Sequence, residues 1–284
     1  MEESVVAEVR CALASHGVQH SKIETLSPRS FGKKSGRCTF RVEMANGSVI
    51  KARCFESVEE ASRLADLRSR VDASFSPVIA RYGTVLLEPW IDGEPLSAAQ
   101  AEARAEEIGA LLGRLHATNL SGMHDRVSTQ RRREQATGQL ARLAEAGVVS
   151  PELTETLQAE LRQCEPRAAL KTVVHRDYCP ENLVVDRGGY LHVVDNEWLH
   201  IDAAGVDLGR TYARWPMPDD VWQRFMRGYL TTAPCDPGPL RFWLIVMAAA
   251  GAIVRLHKSP AELAVPLARL HQLGAARAPS VSQR

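Results

Sequence analysis

A single change of text near residue 92 constrains this chain more than any other feature. Before it, apolar residues come in short, β-rich runs; from about Ser97 they recur at helical spacing in Ala-, Leu- and Glu-rich stretches. A chain that is mainly β-rich text before this point and mainly helical text after it, with one further hairpin at 183 to 194, builds an α+β fold of two parts. The expected parts are a small β-rich N-terminal lobe at 1–92 and a larger, mainly helical C-terminal lobe at 93–284. With 284 residues the chain can bury a core in each.

Local signals fill in the first part. "CTFRVEMANGSVIKARCF" (38 to 55) is two strand-like runs around Asn46-Gly47, a strong hairpin signal. "SVEEASRLADLRSRV" (57 to 71) follows with Ser57 as a cap, Glu60 as its capping-box partner and apolar residues at helical spacing. Far downstream, "FWLIVMAAAGAIV" (242 to 254) is apolar on all sides but well short of the ~20 residues that span a bilayer. It is expected to be a buried helix.

Charge and cysteine content remove several function classes. The 35 basic and 34 acidic residues nearly cancel, so no global field argues for nucleic acid or an anionic membrane surface as a partner. The six cysteines form no CxxC pair and the first residues lack an apolar signal core. Both point to a reducing, cytoplasmic setting without a zinc site or a disulfide framework.

Chemistry concentrates in "VVHRDYCPENLVVDRGGYLHVVDNEW" (173 to 198). "NLVVD" and "YLHVVD" read as strands around Gly188-Gly189, and a two-residue loop there would set Leu183 opposite Val194 and Asn182 opposite Asp195. Asp177 lies one turn-like segment earlier. Two oxygen donors at one hairpin mouth with a third carboxylate nearby suit Mg²⁺, which takes few protein oxygens and leaves the rest to phosphates and water. The competing reading of Asp177 and Asn182, each taken alone, is turn capping.

His175-x-Asp177-x-x-x-x-Asn182, followed by Asp195, resembles the catalytic and metal loops of the kinase fold. With "VVDNEW" and "GVDLGR", which contains Asp207, the stretch resembles the aminoglycoside phosphotransferase and choline kinase family, whose pattern runs His-Gly-Asp, Pro-x-Asn, Asp-x-Glu and Asp-Leu-Ala. Lys51 in "VIKAR", Glu60, the hinge-like "LLEPWIDGEPL" and "LLGRLHAT" extend the likeness over most of the chain. The resemblance implies a two-lobed, protein-kinase-like fold and Mg²⁺-dependent transfer of the γ-phosphoryl group of ATP or GTP to a hydroxyl of a small molecule. It makes Asp177 the base or orienting group for that hydroxyl, Asn182 and Asp195 the metal ligands, and Lys51 the holder of the α- and β-phosphates with Glu60 fixing its ammonium. Backbone groups from Glu88 through Trp90 to Ile91 would meet the base, and "SFGKKSG", with Gly32 and Gly36, would cover the phosphates. Glu59 competes with Glu60 for the lysine, and the spacing of Glu60 to Leu64 and Leu67 favours Glu60. Arg176 stands where the family usually has Gly, as in protein kinases, whereas Asn196 and Glu197 replace the protein-kinase Phe-Gly. Glu197 would stand behind the metal ligands; His116 is read as a packed core histidine and His175 as a group that orients the loop.

The resemblance also puts the acceptor between the catalytic loop, the segment at about 120 to 170 and the C-terminal helices. From 215 to 284 there are Asp219, Asp220, Asp236 and Glu262 against eight Arg or Lys residues. That basic balance disfavours a polycationic antibiotic. Trp198, Trp215, Trp222, Phe225 and Tyr229 are either an acceptor wall or ordinary core. Beside the small-molecule kinase stand a protein kinase, suggested by Arg176, and a non-catalytic nucleotide-binding regulator. Missing Asp-Phe-Gly and Ala-Pro-Glu elements speak against the first, and the presence of Lys51, Asp177, Asn182 and Asp195 against the second.

Overall fold

Strand text at the N-terminus becomes a sheet whose order follows from its hairpins. The structure, a computed structural model, describes residues 2–26, 38–120, 126–167, 169–233 and 238–275. In chain order its first elements are α1 (Glu2–Ser15), β1 (His20–Thr25), β2 (Cys38–Met44), β3 (Val49–Cys54), α2 (Val58–Arg68), β4 (Ala80–Tyr82), β5 (Val85–Pro89) and β6 (Gly93–Pro95). Helices α3 (Ala98–Ala103) and α4 (Ala105–His116), strand β7 (Arg126–Val127), helices α5 (Gln130–Glu145) and α6 (Pro151–Gln163) and strand β8 (Ala169–Val174) come next. The remainder is β9 (Leu183–Asp186), β10 (Leu191–Val193), β11 (His200–Ala203), α7 (Ala204–Arg214), α8 (Asp219–Thr232), α9 (Leu240–Lys258) and α10 (Ala264–Ala275). The expected "SFGKKSG" loop lies outside the described residues.

Two compact units result, one of residues 1–95 with 183–197 and one of 96–182 with 198–284. In the first, β1-β2-β3-β5-β4 form an antiparallel sheet and β10-β9-β6 a second, three-stranded one. Phe40, Val42, Ala52, Val85 and Leu87 on the five-stranded sheet pack with Val9, Ala12 and Leu13 of α1. Ser57 caps α2 as its spacing predicts, accepting the Glu60 N–H at 3.1 Å.

The second unit is helical apart from the small sheet β11-β8-β7. Its α9 contains the apolar run and is longer than it, 19 residues, which by length and composition alone could cross a membrane. Half of that window is buried, and Phe242, Trp243, Leu244 and Ile245 are fully enclosed, as a core helix requires. Helix α4 crosses α8 at a point so close that a Cβ added to Gly228 would stand 1.9 Å from the Glu106 carbonyl oxygen. Gly228→Ala is therefore expected to destabilise the protein by about 1–3 kcal/mol in urea unfolding, although Ala is the better helix former. An unchanged unfolding midpoint would mean that the crossing can widen freely.

The hairpin at 183–193 differs from expectation by one position. Leu183 pairs with Val193, Val184 with His192 and Val185 with Leu191. Its loop has three residues, Arg187-Gly188-Gly189, because the Asp186 carboxylate accepts the N–H groups of Gly188 and Tyr190, both at 2.9 Å, and widens the turn. Gly189, at φ 84°, takes the left-handed position that closes such a loop. Asn182 and Asp195 are thus not a strand pair. Asn182 ends a short 3₁₀ turn (Pro180–Asn182), and Asp195 lies beyond β10 in a left-handed conformation, φ 56°.

Candidate active site

Strand register in the first unit builds an ion-pair network. β3 and β5 pair so that Lys51 lies opposite Glu88. The Lys51 ammonium is 3.7 Å from Glu88 Oε2 and 3.8 Å from Asp195 Oδ1. Arg53, two positions along the same strand, projects to the same face. Its guanidinium donates to Asp195 Oδ1 at 3.1 Å and pairs with Glu197. Arg68, at the end of α2, pairs with Glu88 and donates to the Ser76 carbonyl. Lys51, Arg53 and Arg68 are thus set against Glu88, Asp195 and Glu197, each of them largely buried except Asp195, whose side chain is 53% exposed. Burial alone would raise the Glu88 carboxyl, but the charges of Lys51, Arg68 and Arg53 outweigh it and hold it below its usual value. Burial, joined by the like charge of Arg53, pulls the Lys51 ammonium down against the pull of the three carboxylates.

The second unit assembles the loop around Asp177. β8 delivers the chain to His175, and Asp207, in the first turn of α7, accepts the backbone N–H of His175 at 2.7 Å and of Arg176 at 2.6 Å. His116 donates from Nε2 to the same carboxylate at 3.1 Å, and its Nδ1 accepts the Tyr229 hydroxyl at 2.9 Å. Arg176 sits at φ 67°, the left-handed region that favours Gly, and its N–H bond to Asp207 holds it there. His175 is fully buried and its Nδ1 accepts the Asp177 N–H at 3.2 Å, so it orients the loop. Asn182 Nδ2 donates to the Asp177 carbonyl at 2.8 Å and to Oδ2 at 3.3 Å. The other carboxylate oxygen, Oδ1, accepts from Arg210 at 3.2 Å and from Arg214 at 2.9 Å.

Burial would raise the fully enclosed Asp207 carboxyl, yet the His116 hydrogen bond, the electrostatic pull of the His116 and His175 rings and the His175 backbone bond leave it below its usual value. A carboxyl depressed by folding contributes stability that is complete above its unfolded pKa, about 3.9, and is lost as pH falls through the folded value. Unfolding free energy is therefore expected to drop steeply below about pH 4, and less steeply in Asp207→Asn. Equal slopes in urea titrations of the two proteins between neutral and acid pH would remove Asp207 from the acid response.

Several expected partners differ from those found. The carboxylates beside the Lys51 ammonium are Glu88 and Asp195, so the pairing expected of Glu60 falls to the Glu88 side chain. Trp90 stacks under the Arg41 guanidinium at 5.5 Å, and Trp90, Ile91 and Asp92 line an open hollow of about 280 Å³ with Asp186, Arg187, Gly188 and His192. Trp215, Trp222, Phe225 and Tyr229 are core, and only Trp198 of that set is exposed. His116 is a packed histidine, buried between Asp207 and Tyr229. Sequence reasoning missed Arg53, Arg68, Arg210 and Arg214. Arg53 was legible from its i+2 spacing to Lys51, and Asp207, Arg210 and Arg214 from their i, i+3, i+7 spacing on one helical face. Among the described residues, no group of three or more His, Cys, Asp or Glu side chains could hold a metal ion.

A sheet-based unit with a buried Lys–Glu pair and a helical unit with an Asp–Asn loop anchored on a second Asp define a kinase-like phosphotransferase fold. The chain belongs to the APH phosphotransferase enzyme family, whose model matches residues 56–243, a span that includes Asp177, Asn182, Asp195 and Asp207 and begins after Lys51. No curated protein matches it. Among solved structures it is similar to a macrolide 2'-phosphotransferase from Brachybacterium faecium, with 18% identity, TM-score 0.61 and coverage of 94% of this chain and 97% of that one. It is also similar to a choline kinase from Cryptosporidium parvum, with 14% identity, TM-score 0.63 and coverage of 97% and 96%. A third likeness is to a putative fructosamine-3-kinase from Thermobifida fusca, with 15% identity, TM-score 0.62 and coverage of 94% and 97%. These likenesses establish the fold, and the family match establishes the enzyme class.

Proposed function

We propose that this phosphotransferase moves the γ-phosphoryl group of ATP or GTP, with Mg²⁺, to a hydroxyl of a small molecule. The observation that carries the reading is the Asp177–Asn182 loop. Its carboxylate is oriented at both oxygens, and its backbone is tied by two short bonds to a buried Asp207. A turn cap needs neither. Asp177 receives or orients the acceptor's hydroxyl proton while the acceptor oxygen attacks phosphorus and the bridging oxygen leaves with the diphosphate.

Asn182 and Asp195 are the residues to hold Mg²⁺. Asn182 spends its amide nitrogen on Asp177, which leaves the amide oxygen as the donor a hard cation takes, and Asp195 is the exposed carboxylate of the first unit's network. Bound there, the ion would neutralise charge developing on the phosphate oxygens. Lys51 and Arg53 offer two further cations for phosphate oxygens, and backbone groups at Glu88, Trp90 and Ile91 are the ones to meet the base. The supporting role of Glu197 is to hold Arg53. The five cysteines described are all free, which fits work in the reducing cytoplasm.

Asp195→Ala tests the metal assignment. Mg²⁺-dependent ADP release is expected to vanish while the melting temperature moves by no more than about 4 °C, since the half-exposed carboxylate leaves Arg53 with Glu197 and Lys51 with Glu88. Parental turnover at saturating Mg²⁺ would move the metal site elsewhere.

A further inference from the structure

Asp177 presents an unusual surplus of cations to whatever it is to act on. Arg210 and Arg214 lie one turn apart on α7, and both donate to the same Asp177 oxygen, Oδ1. One carboxylate oxygen uses only a fraction of the ten N–H donors that two guanidiniums carry. Both arginines remain accessible, with side chains 39% and 28% exposed. Two more guanidiniums add to the field. That of Arg176 is held below its usual value by burial and by the charge of Arg210, and that of Arg255 by burial and by Arg214 and Arg210. Against the four stand Asp177, Glu181 and Glu262, the last 3.5 Å from Arg255 and half exposed. Asp202 is engaged by Arg132, and Asp207 is enclosed by His116 and backbone N–H groups. A cationic acceptor entering here would meet like charge, and the oxygen that should receive its hydroxyl is already taken.

We propose that Arg210 and Arg214 dock an anionic group, a phosphate or a carboxylate, borne by the hydroxylated acceptor close to its reacting hydroxyl, and that its arrival releases Asp177 Oδ1 to that hydroxyl. The acceptor class is then a phosphorylated sugar or polyol, or a hydroxy acid. The fork of an arginine matches both anions bidentately, and either anion offers the pair two or more oxygens where Asp177 offers one that they share. This rests on the phosphotransfer reading above. The rival role for the two arginines is to position Asp177, which would affect all acceptors alike.

The test uses matched acceptors: ribose 5-phosphate with ribose, glycerate with glycerol, and choline as the cation. ADP release is followed with ATP and Mg²⁺, and separately the melting temperature is followed with inorganic phosphate and no nucleotide. An anionic acceptor is expected to exceed its neutral partner in kcat/KM by roughly 10²-fold, the effect of one or two charge-assisted contacts. Arg214→Gln and, independently, Arg210→Gln should each reduce that ratio by about 10-fold or more, and the double variant should lose part of the stabilisation by phosphate. A fall of equal size on both members of a pair leaves only positioning and overturns the docking, as does a preference for the neutral or cationic compound. Phosphate stabilisation that depends on the arginines, with no ATP turnover on any acceptor, keeps the anion site and overturns the phosphotransfer reading. Absence of both overturns both.

Discussion

Asp177→Asn should bind ATP with Mg²⁺ nearly as well as the parent and lose roughly 10²- to 10⁴-fold in turnover, the usual worth of a positioned acid or base. The substitution keeps size and removes the charge and the proton acceptor. Asn182 can still donate to the residue 177 carbonyl, which it meets at 2.8 Å, and the backbone bonds to Asp207 do not involve this side chain. The loop should therefore persist. If Asp177 were merely a turn cap, Asn would serve about as well and turnover would stay near parental. Nucleotide affinity, melting temperature and ADP release on this one variant decide the matter; parental turnover with an accepted substrate would remove Asp177 from the chemistry.

Glu88→Ala is expected to cost about 3–5 kcal/mol of stability, the range found when one partner of a buried ion pair is removed. Glu88 carries two cations, Arg68 at 1% and Lys51 at 15% side-chain exposure, and both would be left without its charge. Arg68 also donates to the Ser76 carbonyl, so it cannot leave for water without giving up that bond. The penalty comes from desolvated, uncompensated charge and not from the pair's own attraction. The double variant Glu88→Leu with Arg68→Met should accordingly recover much of the loss. Urea unfolding of the single and double variants checks this. A single-variant loss below about 1 kcal/mol would mean that Arg68 finds water or another acceptor on relaxation.

Locally encoded features were legible without a structure. Ser57 caps its helix because the cap and its N–H donor are three residues apart, and the apolar run at 242–254 forms a core helix, buried over most of its length with Val254 exposed at its end, because no face of it is polar. The hairpin at 183–193 was legible as a hairpin but not in its register. Gly188-Gly189 satisfies a two-residue loop on backbone grounds, and only the Asp186 side chain, taking two N–H groups, makes it three. A shift of one position is decisive in a strand, where it exchanges the two faces.

By itself the sequence determined the segregation of strand and helix, the hairpins, the capped helix and the spacing of His175, Asp177, Asn182 and Asp195, since each depends on residues a few positions apart. The tertiary structure alone decided which charges meet. Arg53 and Asp195 are 142 positions apart, Arg214 and Asp177 37, and His116 and Asp207 91. No periodicity links such pairs. Glu60 and Glu88 are equally acidic as text, and Glu88 takes the lysine because β3 and β5 pair with Lys51 opposite it, where burial makes a neighbouring carboxylate matter. The partner of a charge is set by strand register and by the exclusion of water, and both exist only once the chain has folded.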